Sequence, residues 1–134
     1  MQDGATEVIP GLFVGTVADA RTFDGKIICV LASWPLDGNP AALWIPILHI
    51  DHDASPFVER ALPQQLDIVA REIGLRVRPV LVHCREGRER SPLAVAYYLV
   101  ATGRAWCMHE AYKTLREQRP QVVDRSAWLP EEFR

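Results

Sequence analysis

The sequence lacks the features that mark membrane-spanning or secreted proteins. No apolar run reaches the roughly 18 residues that a membrane helix needs. The first twenty residues contain no basic start followed by an apolar stretch, so we expect no signal peptide. The three cysteines (Cys29, Cys84 and Cys107) are widely spaced and form neither a disulfide framework nor a CxxC zinc pattern. We therefore expect a soluble protein of the reducing cytoplasm.

A basic excess is also missing. Fifteen basic and seventeen acidic residues leave a net charge of −2, whereas nucleic-acid-binding domains usually carry a clear positive charge. Lysine is scarce, with two lysines against thirteen arginines. Arginine suits the bidentate binding of carboxylate and phosphate groups. We expect no nucleic-acid partner, no membrane partner and a monomer.

What is present is an ordinary globular chain. Its 134 residues are 49% hydrophobic and 24% charged, which predicts one domain spanning 1–134 with one core. Apolar runs predict strands at 7–9, 12–14, 26–32, 43–50 and 80–82, the first two forming a hairpin or bend at Pro10-Gly11. Helical spacing and end signals predict a helix that opens at Ser55-Pro56, restarts at Pro63 and is followed by Gly74 as its left-handed C′ residue. They also predict helices over 92–101, ended by Gly103, and from Met108 to the stop at Arg119-Pro120.

This order of elements favours one fold class. Strands alternate with helices after residue 26, which predicts an α/β fold with a central, mostly parallel sheet flanked by helices. Ligands of such sheets bind beyond the carboxyl ends of the strands. The loops at 51–54 and 84–90 follow two of the predicted strands, so they are the places where we expect chemistry.

The segment Val80–Pro92 (VLVHCREGRERSP) carries a strong chemical pattern. A buried strand ends at His83-Cys84, a five-residue loop follows, and Ser91-Pro92 opens an apolar helix. Backbone N–H groups of such a loop can form an anion nest at the helix N-terminus, and Arg90 can add a bidentate fork. The helix dipole and the guanidinium both favour the thiolate of a cysteine facing that nest. The pattern predicts a nucleophile beside a site for a tetrahedral anion.

The stretch HCREGRERS resembles the HCxxGxxRS motif of cysteine-dependent protein tyrosine and dual-specificity phosphatases. All five fixed positions match: His83, Cys84, Gly87, Arg90 and Ser91. The segments EVIPGLFVG, KIICVLA and AYKTLREQRP also resemble this family, so the likeness covers about residues 7–120. The resemblance implies a dual-specificity phosphatase-like fold and a small catalytic domain.

The resemblance also implies roles for these residues. Cys84 would attack phosphorus and form a phosphocysteine, and Ser91 would help the thiolate leave in the second step. His83 would orient the loop. The phosphate would be held by the loop residues Arg85, Glu86, Gly87, Arg88, Glu89 and Arg90. No metal or cofactor is required, and phosphate or vanadate should occupy the loop. The partners would be phosphorylated proteins or small phosphoesters.

A general acid is also implied, on a separate loop about thirty residues before the cysteine. Asp51 and Asp53 both fit. Asp51 directly follows a predicted strand, and Asp51-His52 resembles the Asp-His pair of several relatives, so we favour Asp51 and keep Asp53 as the alternative.

For some other residues the sequence leaves two roles open. Glu89 occupies a position that usually holds Ser, Thr or Gly in the family; it would destabilise the thiolate if it pointed inward, or it would pair with Arg88 or Arg85 if it pointed outward. Arg119 and Arg125 are expected to be solvated or to cap helices. Cys29 is expected in the core, and the alternative is a thiol that traps oxidised Cys84.

Several functions remain open. The leading prediction is hydrolysis of phosphotyrosine, extending to phosphoserine and phosphothreonine because the short chain predicts a shallow site. Non-protein phosphoesters such as phosphoinositides or RNA 5′ phosphates are alternatives, although the loop lacks the lysines of lipid-phosphate relatives. Sulfurtransferases and low-molecular-weight phosphatases share a cysteine loop, but in the latter the cysteine follows the first strand. A phosphatase-like module that binds phosphoproteins without turnover is the non-enzymatic alternative.

Overall fold

The structure, a computed structural model, describes residues 4–47 and 56–134. Its strands are β1 (Thr6–Ile9), β2 (Leu12–Gly15), β3 (Lys26–Cys29), β4 (Leu43–Trp44) and β5 (Val80–His83). They form one sheet in the order β1-β2-β5-β3-β4. The pairs β2–β5, β5–β3 and β3–β4 are parallel, and β1 and β2 form the antiparallel hairpin predicted around Pro10-Gly11. The predicted mostly parallel sheet is confirmed.

Four α-helices flank this sheet in the described chain: α1 (Val17–Thr22), α2 (Pro56–Gly74), α3 (Arg90–Ala101) and α4 (Met108–Gln118). Every residue of α3 from Ser91 to Leu99 is buried, as its uniformly apolar sequence predicts. The helix packs against α2, α4, β2 and β5. It ends in a Schellman turn, in which Gly103 has φ +75° and Arg104 N donates to Leu99 O at 2.8 Å. This central helix anchors the loop between β5 and α3.

Two details of α2 differ from the prediction. The helix does not restart at Pro63 but runs through it as one element. The apolar stripe continues on both sides of the proline, with Leu62 and Leu66 fully buried, and this packing holds the helix together despite the missing N–H. Gly74 is the last helical residue rather than a left-handed residue beyond the end, and Leu75 N instead donates to Arg71 O at 3.0 Å.

The middle strands are shorter than predicted. β3 ends at Cys29 rather than Ala32, and β4 covers only Leu43–Trp44. Pro46 has no N–H to add to the ladder, so only Ile45 and Ile47 continue the hydrogen bonding, to Cys29 O and Val30 O. Residues 48–50 of the predicted strand lie outside the described residues.

The described helices include none that is long and apolar enough to cross a lipid bilayer.

Candidate active site

The loop between β5 and α3 surrounds a small cavity at the carboxyl end of the sheet. β5 lies between β2 and β3, so its end at His83 is central in the sheet. We call residues 84–89 the Cys84 loop, and the cavity of about 130 Å³ that it encloses the cup. The cup is lined by Cys84, Arg85, Glu86, Arg88, Glu89 and Arg90. The fold thus brings together the loop residues that the sequence pattern singled out.

A cysteine thiol and a helix N-terminus meet in the cup. Cys84 is 5% exposed, and its Sγ lies 3.2 Å from the hydroxyl of Ser91 in the first turn of α3. No hydrogen bond from the side chain of Glu89, the N-cap residue, caps α3. The first N–H groups of α3 are therefore left for a ligand, and the positive end of the helix dipole favours negative charge there.

The carbonyl oxygens of residues 84–88 in the Cys84 loop all accept hydrogen bonds from outside the cup. The donors are His83 Nδ1 to Cys84 O (3.2 Å), Val17 N to Arg85 O (3.3 Å), Arg119 Nη2 to Glu86 O (3.3 Å), Arg119 Nε to Gly87 O (2.9 Å) and Val123 N to Arg88 O (2.8 Å). Each peptide is planar and trans, so its N–H points opposite to its carbonyl. Five successive N–H groups, of residues 85–89, consequently face away from these donors and toward the cup.

Arg90 adds a cationic donor to these N–H groups. Its Nε is buried, and among the described residues it has no hydrogen-bond partner. Buried donors of native proteins are nearly always paired, so an unpaired one that lines a cavity indicates a ligand. A ring of N–H groups with a guanidinium can hold the oxygens of a tetrahedral oxyanion beside the thiol sulfur.

The backbone of the loop requires glycine at position 87. Gly87 has φ +66°, a conformation that costs other residues energy. A Cβ there would also lie 2.6 Å from Arg119 Nη2 and 2.8 Å from the carbonyl oxygen of Gly15. The glycine therefore serves both the turn and the close approach of the neighbouring groups.

His83 contacts the start of the loop as a neutral donor. Its ring is fully buried, and Nδ1 must carry the proton because its partner, the carbonyl of Cys84, can only accept. Burial lowers the pKa of His83 below its ordinary value of 6.5, and the hydrogen bond to Cys84 opposes that shift. The imidazole is therefore neutral near pH 7.

Comparison with known proteins identifies the fold. Residues 36–130 match the family profile of the dual specificity phosphatase catalytic domain. The chain belongs to this family. Among curated proteins, no sequence matches the chain significantly.

Solved structures share the fold of this dual specificity phosphatase domain. A Cydia pomonella phosphatase named PTP-2 superposes with a TM-score of 0.73 and 21% identity, covering 95% of this chain and 86% of its own. A mouse dual specificity phosphatase in complex with zinc tungstate gives 0.69 and 20%, covering 96% and 83%. The human tyrosine phosphatase-like serine/threonine/tyrosine-interacting protein gives 0.64 and 18%, covering 96% and 92%. At these identities the likeness concerns the fold.

The partner predicted for Glu89 is wrong. Its carboxylate pairs with Arg125, whose Nη2 lies 2.9 Å from Oε1, rather than with Arg85 or Arg88. Arg125 in turn stacks over the ring of Trp128, 5.2 Å from its centroid. Arg85 pairs instead with Asp37 at 3.0 Å. The C-terminal segment therefore neutralises the carboxylate that the phosphatase loop carries at this position.

The prediction that Arg119 is solvated or caps a helix is also wrong. Arg119 is 2% exposed and donates to the carbonyls of Glu86 and Gly87. More than thirty residues separate it from this loop, so no local pattern could indicate the contact. The motif AYKTLREQRP was the available signal, because it places an arginine before a helix-ending proline near the chain's end.

Two further predictions concern the general acid and Cys29, of which the structure describes only the second. Asp51 and Asp53 lie outside the described residues. Cys29 is in the core, as expected; it is fully buried opposite His83 in the β3–β5 register, and burial raises the pKa of its thiol. Within the described ranges, no three His, Cys, Asp or Glu side chains are grouped so that they could hold a metal ion.

Proposed function

We propose that this chain hydrolyses phosphate monoesters of proteins, phosphotyrosine first and phosphoserine and phosphothreonine in addition, through a phosphocysteine intermediate. The observation that carries the proposal is the cup itself, which is lined by Cys84 and by loop residues whose carbonyls are held outward. Membership of the dual specificity phosphatase family supports the same chemistry. So does the tungstate, a tetrahedral oxyanion, of the mouse relative with this fold.

In the first step the thiolate of Cys84 attacks phosphorus and the bond to the leaving oxygen breaks. The N–H groups of the Cys84 loop and the guanidinium of Arg90 hold the three equatorial oxygens, whose charge they stabilise in the transition state. The product of this step is a phosphocysteine and a leaving alcohol or phenol.

In the second step water attacks phosphorus and the sulfur–phosphorus bond breaks. Ser91 Oγ, 3.2 Å from Cys84 Sγ, donates its proton to the sulfur as a hydrogen bond and stabilises the departing thiolate. Inorganic phosphate then leaves the cup, and the free thiolate is regenerated.

We further propose Asp51 as the general acid, with Asp53 as the alternative. The carboxylic acid protonates the leaving oxygen in the first step and, as carboxylate, accepts a proton from water in the second. Loss of this acid slows alkyl phosphates, whose leaving groups are strongly basic, more than aryl phosphates. The ratio of phosphoserine to aryl phosphate turnover in Asp51→Asn and Asp53→Asn therefore identifies which of the two acts.

The first experiment is hydrolysis of p-nitrophenyl phosphate from pH 4 to 8 in the presence of EDTA. Wild type should turn over the ester, and Cys84→Ser, which keeps the size of the side chain, should be inactive. Arg90→Lys keeps the charge but loses the planar guanidinium that donates two hydrogen bonds to one anion, so it should raise KM and lower kcat. Turnover in Cys84→Ser at the wild-type rate would overturn the proposal.

The substrate class is tested next, because the same cup would take any accessible phosphate monoester. Phosphopeptides, a phosphoinositide and an RNA 5′ phosphate are compared at equal concentration. Preferential turnover of either non-protein ester would replace the protein substrate while keeping the chemistry. A folded, reduced wild type that binds phosphopeptide without releasing phosphate would instead make the chain a binding module.

A further inference from the structure

A buried arginine behind the Cys84 loop has a role that the phosphatase motif does not include. Arg119 follows α4, and its guanidinium is enclosed by backbone and side-chain oxygens. A charge removed from water in this way needs several hydrogen bonds to be tolerated. Nε and Nη2 donate to Gly87 O and Glu86 O, and Nη1 donates to Thr6 Oγ1 at 2.9 Å and Gly4 O at 3.2 Å.

These contacts set the orientation of two peptide units of the loop. The carbonyls of Glu86 and Gly87 point toward the guanidinium, so the N–H groups of Gly87 and Arg88 point to the opposite side of their peptide planes. Without a donor behind the loop, each carbonyl would have to find another partner, and rotation of the peptide would carry its N–H out of the cup.

The close fit between Arg119 and Gly87 makes this orientation specific. A Cβ at position 87 would lie 2.6 Å from Nη2, so the guanidinium occupies the space that the glycine leaves open. The other end of the guanidinium is tied to the start of β1 through Thr6 and Gly4. The arginine therefore joins the hairpin edge of the sheet, the end of α4 and the loop in one hydrogen-bonded unit.

We propose that Arg119 is the positioning residue of the cup. It holds the Glu86–Gly87 and Gly87–Arg88 peptides with their N–H groups inward, and its positive charge behind the loop favours a bound oxyanion. It does not touch substrate, and it acts through the backbone. This inference rests on the proposed function, since it names what keeps the anion-binding groups in place.

The planar fork is the property that matters. Lysine keeps the charge, but a single ammonium cannot donate from separate nitrogens toward the loop on one side and β1 on the other. Arg119→Lys should therefore fail to replace arginine. Arg116→Lys is the matched control, because Arg116 is exposed in the last turn of α4, three residues before Arg119.

The test measures tungstate affinity by titration calorimetry in folded, reduced protein, with p-nitrophenyl phosphate kinetics in parallel. In Arg119→Lys the loop N–H groups should no longer all point at the tungstate oxygens. Because hydrogen bonds to a charged ligand are strong, the tungstate Kd should rise by about tenfold or more. The kcat/KM value should fall by a similar factor, while Arg116→Lys stays within about twofold of wild type. Amide NMR signals of Gly87 and Arg88 should shift with tungstate in wild type and respond weakly in Arg119→Lys.

A folded Arg119→Lys with wild-type tungstate affinity and wild-type amide shifts would overturn the inference. Should that variant fail to fold, Thr6→Val replaces it, because this isosteric change removes one acceptor of Nη1 and keeps the arginine. Thr6→Val should raise the Kd about threefold, as expected for one weakened hydrogen bond, and an unchanged Kd would overturn the inference. A wild type that neither binds tungstate nor turns over phosphate would instead overturn the proposed function.

Discussion

Replacing Gly87 by alanine should destabilise the fold through two separable effects. The first effect is conformational. Position 87 has φ +66°, in the left-handed region, where a Cβ lies too close to the carbonyl oxygen that follows it. The second is steric, because the new Cβ would lie 2.6 Å from Arg119 Nη2 and 2.8 Å from Gly15 O. Neither neighbour can retreat freely, since one is backbone and the other is a buried guanidinium with several hydrogen bonds.

The size of each effect follows from this geometry. A left-handed alanine costs about 1–2 kcal/mol. Forcing an extra methyl into a packed site costs about 1–3 kcal/mol more. The free energy of unfolding of Gly87→Ala should therefore fall by about 2–5 kcal/mol, out of the roughly 5–15 kcal/mol typical of a domain.

Gly103 provides a matched control for the conformational effect. It has φ +75°, and a Cβ at this position would meet nothing within 4 Å. Gly103→Ala should therefore cost only the conformational part, about 1–2 kcal/mol. The change in unfolded-chain entropy is common to both substitutions and cancels in the comparison.

Urea unfolding followed by tryptophan fluorescence measures both variants. With a slope of about 2 kcal/mol per molar urea, the Gly87→Ala midpoint should lie about 0.5–1.5 M below that of Gly103→Ala. Equal midpoints for the two variants would refute the steric argument and, with it, the close packing of Arg119 on the loop.

Three further predictions concern the elements that hold the site. Thr16→Ala removes the hydroxyl that accepts from Asp19 N in the capping box of α1, and it should lower the free energy of unfolding in urea by about 1 kcal/mol. A loss of less than a few tenths of a kcal/mol would contradict this capping role. Burial lowers the pKa of His83 in the folded state, so as the pH falls the imidazole is protonated in the unfolded chain before it is protonated in the folded one. Stability should therefore fall as the pH drops below about 6.5, by at most about 1.4 kcal/mol per pH unit. His83→Asn, which keeps a donor for the Cys84 carbonyl, should show a flatter dependence in urea midpoints from pH 7 to 5, and an equally steep one would exclude His83 as its source. Arg125→Gln should change stability by less than about 1 kcal/mol, since the pair with Glu89 is over one-third exposed. Urea unfolding measures this change, and a loss well above about 1 kcal/mol would contradict a pair screened by solvent.

The elements that position the cup could be predicted from local patterns. The apolar run before His83 predicts β5, and the uniformly apolar segment after Ser91 predicts α3. Both elements are buried on all sides, so nearly all of their residues are apolar. The spacing from Cys84 to Arg90 then predicts the loop. These features depend on residues that are close in sequence, which is why the pattern sufficed.

The parts that could not be predicted depend on distant or very short segments. Helix α1 has six residues and little apolar periodicity, and only the pair Thr16 and Asp19, which cap each other's backbone, indicates its start. The partners that Arg119 and Arg125 have on the Cys84 loop lie over thirty residues away in sequence. Hydrogen bonds of that kind follow from the topology of the sheet and leave no periodicity in the sequence.

The donors that hold the loop carbonyls also differ in whether the sequence could reveal them. The carbonyls of Arg85 and Arg88 accept backbone N–H groups, of Val17 and Val123, and a backbone donor carries no residue identity. Among the residues that the structure describes, Arg119 and His83 support the loop carbonyls with side chains, so these two supports could be noticed from residue type.

The measurement that tests the central claim most directly is detection of the intermediate. Wild-type protein is mixed with p-nitrophenyl phosphate, quenched in acid within one turnover, digested and analysed by mass spectrometry. The account predicts one added phosphoryl group on the peptide that contains Cys84, and none on that peptide in Cys84→Ser. Phosphate release by wild type with an unmodified Cys84 peptide, under quench times shown to trap the enzyme in turnover, would contradict a phosphocysteine mechanism.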